Sequence, residues 1–228
     1  MKALAQDAEL FLFDFDGTFY RFTEAFERHC IEATARAAQR LGVSLPFSEL
    51  ITLGQESHIK HGTSFAVFRD RFGLKIEDWH EVYHQELEPH LIESSQVTAA
   101  HLAACPVPWA LLSHSNRYWI FKMLRKFGLD AVTPEDRVFA LEDVRYHYKM
   151  TSDSPYRQVL DRLGARADRT VMVEDSVRNL STAKKLGMTT VYVTQGYSFD
   201  PVQHPEVDLY FDDVPTMLER LKAARATG

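Results

Sequence analysis

Acidic residues stand where the chain leaves two short runs of apolar residues. The run Leu10–Phe13 ends at Asp14, and Asp16 follows two positions later. A second run ends at Glu174 and Asp175. Carboxylates brought together repel one another unless a cation lies between them, and oxygen ligands without nearby His or Cys favour Mg²⁺ over Zn²⁺. These residues predict a magnesium site if the fold gathers them.

Other polar residues could complete such a site. Ser113 and His114 follow a further apolar run, and Lys149 stands shortly before a predicted helix. A carboxylate that attacks phosphorus divides a difficult hydrolysis into formation and breakdown of an acyl phosphate. An ammonium group and a metal ion would neutralise the charge on the phosphoryl group. A second carboxyl, that of Asp16, could protonate the leaving oxygen and later activate water. The set predicts phosphoryl transfer.

The elements that must position these residues alternate along the chain. Continuous apolar runs, typical of parallel strands buried on both faces, lie at 10–13, 109–112, 170–173 and 190–193. Helical patterns that stop at a glycine cover 118–127, 154–163 and 176–186. This alternation predicts an α/β fold with a Rossmann-like open parallel sheet, in which ligands bind beyond the carboxyl ends of the strands.

The segment 22–91 has a different pattern, because helical periodicity continues through it without a strand-like run. Its predicted helices lie near 22–41, 48–60, 63–72 and 77–88. We therefore predict an all-helical cap of residues 22–91, inserted after the first strand. The hydrolase core would comprise residues 1–21 and 92–228.

Charge and cysteine usage limit the partners and the compartment. The 26 Lys and Arg residues are outnumbered by 32 Asp and Glu, which gives a net charge of −6. This balance argues against nucleic acid or an anionic membrane as a partner. The cysteines, Cys30 and Cys105, form no disulfide or zinc pattern, and no leader or membrane-spanning run is evident. We expect a cytoplasmic protein whose partner is a small phosphorylated metabolite.

Two motifs resemble those of the haloacid dehalogenase-like hydrolase superfamily. Residues 13–20, FDFDGTFY, are similar to its first motif, and residues 171–176, VMVEDS, are similar to its fourth. Asn179 stands where the family often has Asp or Asn, and 22–91 lies where these enzymes place a helical cap. The resemblance implies a magnesium-dependent phosphomonoester hydrolase. The DGTFY ending is similar to the pyrimidine 5'-nucleotidase branch.

The resemblance also implies a role for each polar residue. Asp14 would be the nucleophile and Asp16 the general acid and base. Lys149 would anchor nucleophile and phosphate, and Ser113 would hydrogen-bond the phosphoryl oxygens. The predicted Mg²⁺ ligands are Asp14, Asp16 through its backbone oxygen, Asp175 and Glu174. The predicted substrate-binding residues are Gly17, Thr18, Tyr20, Ser113 and His114.

Two positions depart from the family pattern. After the second strand the family usually has Thr or Ser followed by Asn, whereas Ser113 is followed by His114. The third motif is usually Lys-Pro with an aromatic residue six positions later. Here Met150 replaces the proline, and Tyr156 lies seven positions after Lys149. These departures concern the placement of the lysine.

Several alternatives remain open at this stage. A sugar-phosphate phosphatase or a phosphomutase would share all of the core residues, whereas a dehalogenase would not need the acid Asp16. His80, Glu81 and His84 match the HExxH zinc motif of metallopeptidases, although a solvated or partner-facing helix surface is the more common reason for such histidines. A nucleoside monophosphate is a candidate substrate, because Tyr20 could stack on a base as the cap closes over the site.

Overall fold

The computed structural model describes residues 7–226, which divide into two compact units. Of these residues, the core unit comprises 7–21 and 94–226, and the helical unit is Phe22–Glu93. The second boundary lies two residues beyond the predicted 22–91. The chain of the helical unit continues past a short turn at Pro89–Leu91, where the Leu91 carbonyl accepts a hydrogen bond from the Thr23 hydroxyl at 3.0 Å.

The core unit contains a parallel sheet of six strands in the order β3-β2-β1-β4-β5-β6. The strands are β1 (Leu10–Phe13), β2 (Trp109–Leu112), β3 (Val138–Phe139), β4 (Thr170–Glu174), β5 (Thr189–Val193) and β6 (Leu209–Phe211). The predicted α/β, Rossmann-like fold class is therefore confirmed.

Within residues 7–226, five helices of the core unit connect or follow these strands. They are α5 (Ala99–Ala103), α6 (Arg117–Phe127), α7 (Ser154–Leu163), α8 (Val177–Lys185) and α9 (Val214–Ala226). Capping residues explain where helix α6 begins and ends. The Asn116 side chain accepts the Trp119 backbone N–H at its start, and Gly128 adopts a left-handed conformation, φ 66°, at its end.

The strand interiors explain the continuous apolar runs. All four residues of β1 are buried, and the apolar side chains of β2 and β4 pack on both faces of the sheet. The short strands β3 and β6 were not predicted, because two and three residues leave no recognisable periodicity.

The helical unit contains α1 (Glu24–Arg40), α2 (Phe47–His61), α3 (Phe65–Phe72) and α4 (Ile76–Glu86). Its own core includes Phe65, Phe68 and Trp79, and the rings of Phe68 and Trp79 stack with centroids 4.8 Å apart. These aromatic side chains are packing residues of the helical unit. Among residues 7–226, no helix is both long enough and apolar enough to cross a membrane.

Candidate active site

The order of the sheet brings three polar strand ends together. Strand β1 pairs with β2 on one side and with β4 on the other. Asp14 follows β1, and its backbone N–H donates to the Val173 carbonyl at 2.9 Å. Ser113 follows β2, and its backbone N–H donates to the Phe139 carbonyl at 3.0 Å. The Asp14, Ser113 and Glu174 side chains therefore share one edge of the sheet.

Lys149 lies at the centre of this edge. Its side chain is fully buried, although it comes from the irregular segment before α7. Its Nζ donates to Asp14 Oδ1 at 2.5 Å, to Glu174 Oε2 at 2.6 Å and to the Leu112 carbonyl at 3.1 Å. The ammonium group thus bridges the carboxylates of two neighbouring strands despite the altered spacing of its motif.

Three carboxylates lie close to the single ammonium group of Lys149. Ligand oxygens of Asp14, Glu174 and Asp175 lie within 4.8 Å of one another. Burial, and then the nearby Glu174, raise the pKa of Asp14 to about 8, although Lys149 works in the opposite direction. Burial and then Glu174 also raise the pKa of Asp175 well above its usual range. Burial lowers the pKa of Lys149, but the charges of Asp14 and Glu174 more than offset this effect and raise the lysine pKa above its usual range.

The donor set fits the predicted magnesium ion. Three buried or half-buried carboxylates around one ammonium would carry two excess negative charges when all are ionised, and a divalent cation would neutralise them. All three donors are hard carboxylate oxygens. Both oxygens of Glu174 already accept hydrogen bonds, from Lys149 and from the Ser176 backbone N–H at 3.2 Å. The oxygens of Asp14 also accept hydrogen bonds, from Lys149 at 2.5 Å and from Thr18 at 3.3 Å, so all three carboxylates are candidate ligands.

Gly17 makes room for Asp175. A Cβ atom on Gly17 would lie 2.1 Å from Asp175 Oδ2, and the glycine has a left-handed φ of 83°. No other residue type combines this conformation with this close approach at low cost. The glycine of the first motif thus allows the carboxylate of the fourth motif to approach the Asp14–Asp16 turn.

Asp16 belongs to a separate network beside the carboxylate cluster. Its Oδ1 accepts hydrogen bonds from the Trp119 indole N–H at 2.8 Å and from the Tyr20 hydroxyl. Its Oδ2 accepts a hydrogen bond from the Ser113 hydroxyl at 3.0 Å. Trp119 lies in the helix predicted at 118–127, and no short-range pattern connects it with Asp16, 103 positions earlier.

The structure buries Tyr20, which was predicted to contact the substrate, and its substrate contact stays a prediction. Its side chain is fully buried, with ring centroids 5.6 Å from Phe15 and 5.4 Å from Phe127. The ring presents no free face to a base, and its hydroxyl is engaged with Asp16. Thr18 is also buried, and its hydroxyl donates to Asp14 Oδ2 at 3.3 Å.

His114 contacts the lysine segment instead of an open site. Its Nε2 accepts the backbone N–H of Lys149 at 2.8 Å, and its ring packs edge to face on Tyr148 at 5.1 Å. At this nitrogen His114 makes a structural contact, and the substrate contact predicted for the half-buried ring stays a prediction. His114 and the Lys149 segment, the two places where the sequence departs from the family pattern, therefore contact each other.

Gln195 is a member of the site that sequence analysis missed. It lies just after β5, is 7% exposed and adopts a left-handed φ of 55°. Its Nε2 donates to the Gly17 carbonyl. The sequence signal for Gln195 is its position just after the predicted strand 190–193, at the carboxyl end where ligands bind in such sheets.

The HExxH motif does not form a zinc site. His80 and His84 are buried in α4, whereas Glu81 is exposed. The Nδ1 of His84 lies 2.6 Å from the His80 carbonyl, and burial and then His84 lower the pKa of His80 well below its usual range. Within the described residues, the three-ligand acidic or histidine cluster is the one at Asp14. The interpretation of these histidines as solvated or partner-facing is also wrong, since the helical unit buries them.

A parallel sheet with a carboxylate pair after its first strand, and with a lysine and further carboxylates at the adjacent strand ends, defines a class of hydrolases. The model of the haloacid dehalogenase-like hydrolase family matches residues 11–193. The chain belongs to this family.

Known proteins share a local stretch of sequence or the fold with this chain. A phosphoglycolate phosphatase of Rhodospirillum rubrum is 39% identical over 64 residues, which span 28% of this chain and 27% of that protein. The match thus covers about a quarter of that relative's length. A hydrolase from Pseudomonas syringae shares the fold with a TM-score of 0.63 at 19% identity, covering 94% of this chain and 98% of that one. A dehalogenase does so with a TM-score of 0.58 at 17% identity, covering 93% and 96%.

Proposed function

We propose that this protein is a magnesium-dependent phosphomonoester hydrolase that acts through an aspartyl phosphate on Asp14. The observation that supports it most directly is the buried Lys149 ammonium between Asp14 and Glu174, 2.5 and 2.6 Å from their oxygens. A cation in this position orients a carboxylate and offers positive charge to an incoming phosphoryl group. Asp16, held beside it, supplies the second carboxyl that hydrolysis of an ester needs.

In the first half of the reaction, Asp14 attacks phosphorus. Its Oδ1 is held by Lys149 at 2.5 Å, whereas Oδ2 accepts only the longer Thr18 bond of 3.3 Å. Oδ2 is the oxygen that forms the new P–O bond. The bond between phosphorus and the leaving oxygen breaks, and that oxygen takes the proton of the Asp16 carboxyl.

In the second half, water attacks the same phosphorus. The Asp16 carboxylate takes the proton of this water, the bond between phosphorus and Asp14 breaks, and inorganic phosphate leaves. A bound Mg²⁺ would supply charge neutralisation at the phosphoryl oxygens, held by Asp14, Asp175 and the Asp16 backbone oxygen. Ser113 lies close enough to Asp16, at 3.0 Å, to contact a phosphoryl oxygen there.

A dehalogenase is the main rival within the family. It would use the same carboxylate nucleophile, but a departing halide needs no proton. Asp16 is held by three donors from separate parts of the core unit, Tyr20, Ser113 and Trp119. A residue secured in this way beside the nucleophile favours ester hydrolysis, where the leaving group must be protonated.

The substrate is proposed as a small phosphorylated metabolite. A nucleotide base would need an open stacking face at Tyr20, and that ring is buried. The local match to a phosphoglycolate phosphatase instead favours a short phosphorylated acid as the first compound to test. A sugar phosphate or a phosphomutase substrate would use the same core residues and belongs in the same panel.

The test is a phosphate-release screen with Mg²⁺ on phosphoglycolate, hexose phosphates, a hexose bisphosphate, and uridine and cytidine monophosphates. We expect release that stops with a chelator and in Asp14→Asn. Glu81→Gln, an exposed acid of the helical unit, serves as the control and should retain activity. Halide release from a short 2-haloacid without phosphate release from any ester would overturn the proposal. Phosphate transfer between the positions of a hexose phosphate, with little free phosphate, would instead favour a mutase.

A further inference from the structure

The two oxygens of the Asp16 carboxylate have different surroundings. Oδ1 accepts from the Trp119 indole N–H at 2.8 Å and from the Tyr20 hydroxyl. Oδ2 accepts from the Ser113 hydroxyl at 3.0 Å. The same indole N–H lies 3.3 Å from the Tyr20 oxygen, so Trp119 and Tyr20 form one unit on the Oδ1 side.

The donors at Oδ1 are fixed in place. Trp119 is 1% exposed, and Tyr20 is fully buried. The Tyr20 ring packs against Phe15 and Phe127, and Trp119 stands in the first turn of the capped helix α6. A buried N–H that loses its acceptor is costly, so the indole keeps Oδ1 as its acceptor.

The donors also differ in what they can do. An indole N–H can only donate, whereas a serine hydroxyl can donate or accept by rotating. A proton placed on Oδ1 would have to displace the donated bond of the Trp119 indole, which cannot become an acceptor, and would require the packed Tyr20 hydroxyl to turn as well. A proton placed on Oδ2 only requires the Ser113 hydroxyl to turn away, for example toward a phosphoryl oxygen. The surroundings therefore admit a proton at Oδ2 and exclude it at Oδ1.

We propose that Trp119 and Tyr20 are positioning residues that confine the acid–base proton of Asp16 to Oδ2. This inference rests on the proposed phosphatase function. The Oδ2–H bond breaks as the proton passes to the leaving oxygen, and Oδ2 later takes the proton released by the attacking water. Oδ1 stays an acceptor in both halves of the reaction, and the carboxyl therefore presents one defined oxygen to the reacting atoms.

The kinetic test uses Trp119→Phe, Tyr20→Phe and the double variant. Trp109→Phe and the half-exposed Tyr118→Phe are matched controls that lie away from Asp16. We expect each single variant to lose about tenfold in kcat on an alkyl phosphate, with KM within about twofold, because one hydrogen bond to a charged group is lost. On p-nitrophenyl phosphate, whose leaving group needs little protonation, the loss should be several-fold smaller.

A second readout does not depend on turnover. The chain has three tryptophans, so an indole ¹⁵N–¹H spectrum contains three side-chain signals. Asp16→Asn should move the Trp119 signal and leave the other two in place. Comparison with Trp119→Phe identifies that signal and shows whether the variant is folded.

The outcomes separate the two proposals. A wild-type protein that hydrolyses no phosphate ester overturns the proposed function. An active wild type whose double variant is equally active, or loses equally on both kinds of ester, overturns the positioning role of Trp119 and Tyr20. An indole signal of Trp119 that does not respond to Asp16→Asn overturns it as well.

Discussion

His114 Nε2 accepts the backbone N–H of Lys149 at 2.8 Å, so the residue after the second strand holds the segment that carries the buried lysine. The family usually has Asn at the first of these positions and Lys-Pro at the second, whereas this chain has His114 and Lys149-Met150. A proline fixes the backbone locally. Here an imidazole hydrogen bond to the same segment supplies a restraint, and the lysine ammonium still reaches Asp14.

Replacing His114 by Phe should therefore weaken catalysis. The ring would still pack on Tyr148, but the acceptor for the Lys149 N–H would be lost. We expect kcat/KM to fall about tenfold, the scale of one buried hydrogen bond left unmade. His147→Phe, in the same segment but exposed, is the control and should behave like the wild type. Equal activities of the two variants would show that the contact does not position the lysine.

Gly17→Ala tests the close approach of the first and fourth motifs. The new Cβ would meet Asp175 Oδ2 at 2.1 Å, whereas Gly164→Ala would meet nothing within 4 Å at a similar left-handed φ. Both variants should lose roughly 1 kcal/mol of stability through backbone strain. Gly17→Ala alone should lose Mg²⁺ binding and most of the activity. Calorimetric Mg²⁺ titration and thermal unfolding check this, and normal Mg²⁺ binding by Gly17→Ala would contradict the proposed role of Asp175.

The raised carboxyl pKa values make metal binding and stability depend on pH. Without metal, burial and the nearby Glu174 raise the pKa of Asp14 to about 8 in the folded protein, against 3.8 for an aspartate in water. Because the folded protein holds the Asp14 proton more tightly than the unfolded chain does, the protonated carboxyl stabilises the fold. This stabilisation is lost as the pH rises from about 4 to about 8. In that window Mg²⁺ must displace a proton, so its affinity should rise by up to about tenfold per pH unit and level off above the window.

Thermal unfolding in chelator and in Mg²⁺ across this pH range measures the effect. The gap between the two melting temperatures should widen as the pH rises, and Asp14→Asn should reduce the slope. A gap that is independent of pH would show that the site does not exchange protons for metal.

Asp16→Asn tests the division of labour between the two aspartates. The amide should still accept the Trp119 N–H but cannot donate or take the catalytic proton. We expect a loss of at least about 10²-fold on alkyl phosphates and a smaller one on p-nitrophenyl phosphate. Initial rates on both esters, with Mg²⁺ affinity measured in parallel, decide the matter. Equal losses on both esters would mean that Asp16 is not the acid.

The strand ends were predictable because buried parallel strands leave continuous apolar runs. The bounds of β1 and β2 agree with the prediction, and those of β4 and β5 differ by one residue at one end. Strands as short as Val138–Phe139 cannot show a period. For the same reason, neither edge strand was predicted.

Contacts between side chains that are distant in the sequence could not be predicted in the same way. The sequence does not show whether Tyr20 is buried or contacts a ligand, because a tyrosine side chain occurs both in protein cores and at solvated binding surfaces. Its partner Trp119 is 99 positions away, and the indole N–H has no sequence signature. The hydrogen bond from Gln195 to the Gly17 carbonyl could not be predicted either, because it depends on how the Gly17 turn lies relative to the end of β5.

The most direct test of the central claim follows the oxygen of water. The protein is incubated in H₂¹⁸O with an excess of the ester that the screen identifies, and the peptide carrying Asp14 is analysed by mass spectrometry. Attack on phosphorus predicts ¹⁸O in the released phosphate, none in Asp14, and a phosphoryl adduct on Asp14 in an acid-quenched sample. Label accumulating in the Asp14 carboxyl would instead show attack on the carbonyl carbon of an ester intermediate. That result would contradict the aspartyl-phosphate mechanism.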